Sequence, residues 1–142
     1  MPTYKSLTNV HLTGLARDLA KRADENKPIR VGVIGSGEMG TDLVTQGMLM
    51  RGIEICAIAT RRPHTALEAT AIAYGDTSHA VEAETQSKVS AAIESKKLAI
   101  TSADVLVRTP GIDVIIDATG KPGVAADFDL MAMEHGKHLV MM

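Results

Sequence analysis

Residues 29–40, Ile29-Arg30-Val31-Gly32-Val33-Ile34-Gly35-Ser36-Gly37-Glu38-Met39-Gly40, pass from a β-branched run straight into a glycine-rich turn. Helical spacing continues from there to about Met50, and a second apolar run, Ile53-Glu54-Ile55-Cys56-Ala57-Ile58-Ala59, follows. The order is strand, glycine turn, helix, strand, within the length of one βαβ unit. A GxGxxG spacing alone says little, but in this setting each glycine has a physical task. Gly35 permits the tight turn out of the strand. Gly37, lacking a side chain, lets a pyrophosphate approach the backbone, and Gly40 lets the helix lie against the first strand. Gly47, two turns later, extends that contact. The unpaired N–H groups and the positive dipole end of the helix would then face phosphate. Ser36, Glu38 and Met39 complete the turn, with Glu38 expected in solvent, where the helix N-terminus favours a negative charge.

Outward from this unit the alternation persists. Upstream, residues 3–26 read as an amphipathic helix, with Leu12, Leu15, Leu19 and Ala23 at helical spacing and Ala16 and Ala20 beside them. Asn26-Lys27-Pro28 stops it, because proline disfavours helical geometry in the residue before it. Downstream, Thr60-Arg61-Arg62-Pro63 is a loop, His64 to Tyr74 a helix, 75–79 a break and 80–97 a further helix. Leu98-Ala99-Ile100-Thr101 is a third strand, and Ser102 caps a short helix through Val107. Asp113 to Ala118 is a fourth strand, its consecutive apolar residues suggesting burial on both faces. A loop at 119–123, a helix from Val124 to Glu134 and a fifth strand from Lys137 to Met142 close the chain. Strands alternating with helices imply a parallel sheet with right-handed crossovers. The expected fold is therefore α/β, a Rossmann-type doubly wound parallel sheet over 29–142, preceded by an N-terminal helix within 1–28.

Composition narrows the classes. The chain has 142 residues, 45% hydrophobic, with 15 Lys and Arg against 17 Asp and Glu, which is too apolar and too weakly charged for a disordered chain. No apolar run approaches the roughly 20 residues that span a bilayer. Met1 to Ser6 lacks the apolar stretch of a secretory signal. The near-neutral balance argues against nucleic acid as a partner. A lone cysteine, Cys56, cannot pair internally, and a cytoplasmic setting is expected. Only Tyr4, Tyr74 and Phe128 are aromatic, little material for a substrate pocket.

The residues after the second strand set the cofactor. An acid there, about 20 residues past the glycines, would bind the ribose 2′-OH of NAD. This chain has Thr60-Arg61-Arg62 instead. In isolation an arginine pair is a solvated loop; at this place it suits a 2′-phosphate through paired, charge-assisted hydrogen bonds, with Thr60 adding a hydroxyl. NADPH is the expected cofactor. A methyltransferase would carry an acid at this position, and none is present. Beyond the fourth strand, Thr119 and Gly120 should lie against the pyrophosphate or nicotinamide ribose. Asp117 is either a partner near that ribose or a cap of its own loop. Lys121 is either an exposed loop residue or a contact for an anionic substrate. His135 and His138 flank a helix end, where a cation relieves the dipole. No HExxH or CxxC spacing exists, and no metal ligand set, catalytic acid, base or nucleophile stands out.

Ile29 to Gly40, Thr60-Arg61-Arg62, and the passage from Thr101-Ser102-Ala103-Asp104 through Gly111 to Gly120 resemble the N-terminal domain of homoserine-dehydrogenase-like proteins carrying a SAF domain. More narrowly, the chain resembles the 1-deoxy-D-xylulose 5-phosphate reductoisomerase-like enzymes over nearly its whole length. The resemblance implies a parent enzyme that converts 1-deoxy-D-xylulose 5-phosphate to 2-C-methyl-D-erythritol 4-phosphate with NADPH, in isoprenoid biosynthesis. It also implies a divalent metal, Mg or Mn, and a phosphorylated substrate held by a later domain, with homo-oligomerisation through that domain. Only the cofactor positions carry over: Gly35 to Gly40, Arg61, Arg62, Thr119 and Gly120. On this expectation the chain is the cofactor half of a site, inactive alone. Homoserine dehydrogenase using NAD(P)H and a stand-alone NADP(H)-sensing module are the competing expectations.

Overall fold

The computed structural model describes residues 13–35 and 37–142. Six strands form one parallel sheet: β1 (Ile29–Ile34), β2 (Ile53–Ala59), β3 (Ala80–Glu82), β4 (Leu98–Thr101), β5 (Val114–Asp117) and β6 (His138–Met141), in the order β3-β4-β2-β1-β5-β6. The helices are α1 (Gly14–Asp24), α2 (Glu38–Leu49), α3 (Pro63–Tyr74), α4 (Gln86–Glu94), α5 (Ala103–Arg108) and α6 (Pro122–Glu134). The expected α/β, Rossmann-type doubly wound sheet is present. Val44 of α2 and Ala66 and Ala69 of α3 pack with Val33, Ile58 and Ile100 on one face. Val89 and Ile93 of α4, Leu106 and Val107 of α5 and Ala132 of α6 pack with Cys56, Ala57 and Ile115 on the other.

Residues 80–97 are not one helix. Ala80–Glu82 forms a sixth strand at the sheet edge, pairing with Leu98, Ala99 and Ile100 of β4. Its three residues are too few to show a period of two, and Ala and Glu are good helix formers. Only after Thr85, whose hydroxyl accepts from the Lys88 N–H at 3.3 Å, does the helix start. β5 packs on both faces unequally: Ile115 is fully buried, whereas Val114 and Ile116 are half-buried.

The predicted N-terminal helix is seen from Gly14; its residues 3–12, with Leu12, lie outside the described residues. It docks through Leu19 and Ala20, while Leu15 is 72% exposed and no part of the core. The contact is backbone-close, since a Cβ on Gly52 (φ +84°) would stand 2.7 Å from the Leu19 carbonyl carbon. Arg51 also pairs with Asp24. The helix ends where Asn26 turns left-handed (φ 55°). Gly47 lies against Ile55 of β2, where an added Cβ would fall 2.6 Å from its side chain, and not against the first strand. Cys56 is buried, its thiol 3.4 Å from the Val31 carbonyl and pushed up to about 12 by burial, so it packs as a small hydrophobe.

Candidate functional site

The carboxyl ends of β1, β2, β4 and β5 open into one cleft of about 660 Å³. This is the end of a doubly wound sheet where ligands bind, at the point where the connections switch sides of β1. The volume is in the range of small-molecule and cofactor sites.

The glycine turn forms one wall. Gly35 has φ +102°, and a Cβ there would meet the Ala118 carbonyl oxygen at 3.0 Å. That turn ends β1 and starts α2 within four residues. Gly37, the N-cap of α2, lines the cleft, and a Cβ there would meet nothing within 4 Å. Its missing side chain leaves room on the cleft side. Gly40 is buried one turn in, where α2 meets the Gly35 backbone. The first N–H groups of α2 have no intrahelical partner, so their donors and the positive helix end are available to an anion. Glu38 and Met39 are exposed and do not line the cleft, and Ser36 lies outside the described residues.

Thr60, Arg61 and Arg62 line the same cleft from the end of the neighbouring strand β2. The Thr60 hydroxyl accepts from the Arg62 N–H at 2.9 Å, which folds the loop back and makes Arg62 the N-cap of α3. Both arginines are exposed at the rim. Thr119 closes the third side, whereas Gly120 (φ +63°) lies outside the lining. Asp117 caps its own loop, its Oδ1 accepting from the Thr119 N–H at 3.0 Å and hydroxyl at 2.7 Å. Lys121 is exposed, N-caps α6 and reaches the lining. Thus Gly35, Gly37, Thr60, Arg61, Arg62 and Thr119, drawn from three separated stretches, come together in one cleft.

Other lining residues carried no site signal in the sequence. Ser102 and Asp104 stand at the start of α5, where Ser102 accepts from the Val105 N–H at 3.4 Å and Asp104 pairs with Arg108 at 2.9 Å. Their proximity to the glycine turn follows from β4 lying beside β2. Val124, Ala125 and Phe128 of α6 add an apolar floor, so one of the three aromatics does furnish the cleft. His135 Nδ1 lies 2.8 Å from the Met131 carbonyl at the α6 terminus, as expected for a helix-end residue. Among the described residues no group of three His, Cys, Asp or Glu could hold a metal ion, and no helix is long and apolar enough to cross a membrane.

No protein-family model matches the chain, and no curated protein sequence does. Solved structures do match in fold. Biliverdin reductase from Synechocystis sp. PCC 6803, in complex with biliverdin and NADP+, superposes with a TM-score of 0.56 at 16% identity, covering 80% of this chain and 29% of that one. A 3-ketoreductase from Actinomadura kijaniata, in complex with TDP-benzene and NADP, gives 0.54 at 20% identity, covering 80% and 29%. Scyllo-inositol dehydrogenase from Lactobacillus casei, with NAD(H) and scyllo-inositol, gives 0.54 at 16% identity, covering 81% and 28%. The chain therefore spans less than a third of the length of these proteins.

Proposed function

We propose that this chain is the NADP(H)-binding Rossmann domain of a longer oxidoreductase. The observation that carries the reading is the convergence of the glycine turn and the Thr60-Arg61-Arg62 loop in the lining of one cleft at the carboxyl ends of the strands. The residues fit the group: Gly37 leaves open space at a helix N-terminus for a pyrophosphate, and two arginines that line the same cleft after the second strand suit the 2′-phosphate of the adenosine ribose. The similar folds include complexes with NADP and NAD(H), which supports a dinucleotide in general. The bound cofactor supplies a hydride; this chain's residues bind and orient it, and the loop at Thr119 borders its reactive end.

Nicotinamide fluorescence titration with NADPH and NADH tests the reading. NADPH is expected to bind more tightly. Arg61→Ala and Arg62→Ala are each expected to weaken NADPH by roughly 1.5–3 kcal/mol, the range for hydrogen bonds to charged groups, with little change for NADH. Equal affinities for the two cofactors, or equal losses on substitution, would exclude the 2′-phosphate role.

The finer reading, conversion of 1-deoxy-D-xylulose 5-phosphate to 2-C-methyl-D-erythritol 4-phosphate, rests on the residue resemblance of the glycine turn, the arginine pair and the 101–120 passage. A divalent metal and the phosphorylated substrate would be held by residues outside this chain. Assaying the full-length parent with NADPH and either 1-deoxy-D-xylulose 5-phosphate or an aspartate semialdehyde–homoserine pair separates this reaction from that of a homoserine dehydrogenase.

A further inference from the structure

The loop bearing Thr119 is held from below by two buried carboxyl groups. Asp117 ends β5 at 4% exposure, and Asp129, in the middle of α6, is 3% exposed. Asp117 Oδ1 takes both hydrogen bonds from Thr119. Neither oxygen of Asp129 has a hydrogen-bond partner, although both are out of water, and the ionisable group that bears on it is the Asp117 carboxyl. A bare carboxylate in this place would lose its hydration and face a like charge. One shared proton removes both costs. With that proton Asp129 would donate its O–H to the Asp117 carboxylate in a charge-assisted hydrogen bond.

The charged groups on neighbouring elements offer no substitute. Asp104 and Arg108 of α5 pair with each other. Lys137, before β6, directs its ammonium to the carbonyls of Thr109 at 2.6 Å and Ile112 at 3.1 Å. Asp113 and His138 are exposed at the far end of β5 and β6, and Lys121, Asp127, Glu134 and His135 of α6 are exposed. Among the described residues Asp117 is the ionisable group that bears on Asp129. Burial first, then the contact with Asp117 and its charge, push the Asp129 carboxyl up to about 6.

We propose that Asp117 and Asp129 form a one-proton carboxyl pair that positions Thr119 at the cleft, so that the grip on a bound dinucleotide weakens when the pair loses its proton. The inference rests on the reading of the cleft as a dinucleotide site. Asp129 is a positioning residue: it touches Asp117, which touches Thr119, which borders the ligand. The folded chain holds this proton more tightly than the unfolded chain does. Stability from the pair is therefore greatest below about pH 4, falls as the pH rises to about 6, and is level above that.

The test is an NMR titration of the ligand-free full chain from pH 4 to 8, following side-chain carboxyl carbons and the Thr119 amide, beside NADPH affinity at each pH, for the wild type and Asp129→Asn. Asp129 and the Thr119 amide are expected to titrate together near pH 6 in the wild type, and the Thr119 transition is expected to vanish in Asp129→Asn. The ratio of wild-type to variant Kd for NADPH should rise severalfold from pH 5 to 7.5. Ionisation of the 2′-phosphate cancels in that ratio. A Thr119 amide that ignores Asp129, an Asp129 ionised throughout, a Kd ratio flat with pH, or a transition that depends on divalent cation would each overturn the proposal. Absence of NADPH binding at every pH would sink the cofactor reading; the joint titration of Asp129 and Thr119 in the ligand-free chain would still support the pair.

Discussion

Gly40→Val is expected to lower stability by at least about 3 kcal/mol, the upper end of what overpacking costs in a well-packed interior. A Cβ at position 40 would sit inside the van der Waals envelope of the Gly35 carbonyl oxygen and 3.0 Å from its carbon. Both atoms are backbone, so no rotamer change relieves the overlap. Gly35 is itself fixed, its N–H bonded to the Ala59 carbonyl at 2.9 Å and its φ at +102°. Room can come only from lifting α2 off the end of β1, which would break the packing of Val44 against the sheet. Urea unfolding followed by circular dichroism measures the loss, and an unchanged midpoint would refute this close approach. Gly37→Ala is the contrasting variant. Its φ is −67° and its Cβ would point into open space, so the expected cost is about 1 kcal/mol or less, set by exchanging glycine for alanine at an N-cap. NADPH binding, however, should fall, because that open space is where the phosphates would pass. The pair of variants would separate a glycine that serves the fold from one proposed to serve the ligand.

Leu106→Ala carries the second large effect, roughly 2–5 kcal/mol by the usual cost of opening a cavity in a core. Leu106 is fully buried in the layer formed by α4, α5 and α6. Its side chain fills the space that a Cβ on Gly32 would take: that Cβ would lie 2.9 Å from Leu106 Cδ2 and 3.1 Å from Ile115 Cδ1. Gly32→Ala alone is therefore destabilising by overpacking, about 1–3 kcal/mol. Together the two changes should compensate, since the added methyl enters the space the leucine vacates. A double-mutant cycle by chemical denaturation is expected to give a favourable coupling above about 0.5 kcal/mol, and strict additivity would show that the two positions do not share that space.

Much of this was legible in the residues. The β-branched run from Ile29 to Ile34, the glycines that follow it and the apolar run from Ile53 to Ala59 give the βαβ unit directly, because strand and helix periods and the demands of a tight turn are local. Ser102 as an N-cap and the helix stop before Pro28 belong to the same class. The edge strand Ala80–Glu82 was not legible, since its three residues are strand only through pairing with β4. Leu15 shows the converse: it fits the apolar stripe of α1 and yet is exposed, since among the described residues α1 docks through Leu19 and Ala20, beside Gly52.

The candidate site divides the same way. The spacing of Gly35, Gly37 and Gly40 carries the proposal of a phosphate turn, and the place of Thr60-Arg61-Arg62 after the second strand carries the proposed cofactor preference. Phe128 and Asp104 became part of the cleft only when the sheet order brought β4 and β5 to either side of the β2–β1 pair. In the sequence Asp129 is one polar residue within a helix. Its isolation from water and its contact with Asp117 arise from the packing of α6 over β5. What the sequence determined by itself is what depends on neighbours a few residues away: backbone periodicity, caps and the φ that a glycine alone adopts freely. What only the tertiary structure decided is which distant side chains share a cavity and which lose their water, because burial is a property of the whole packed sheet and not of any single segment.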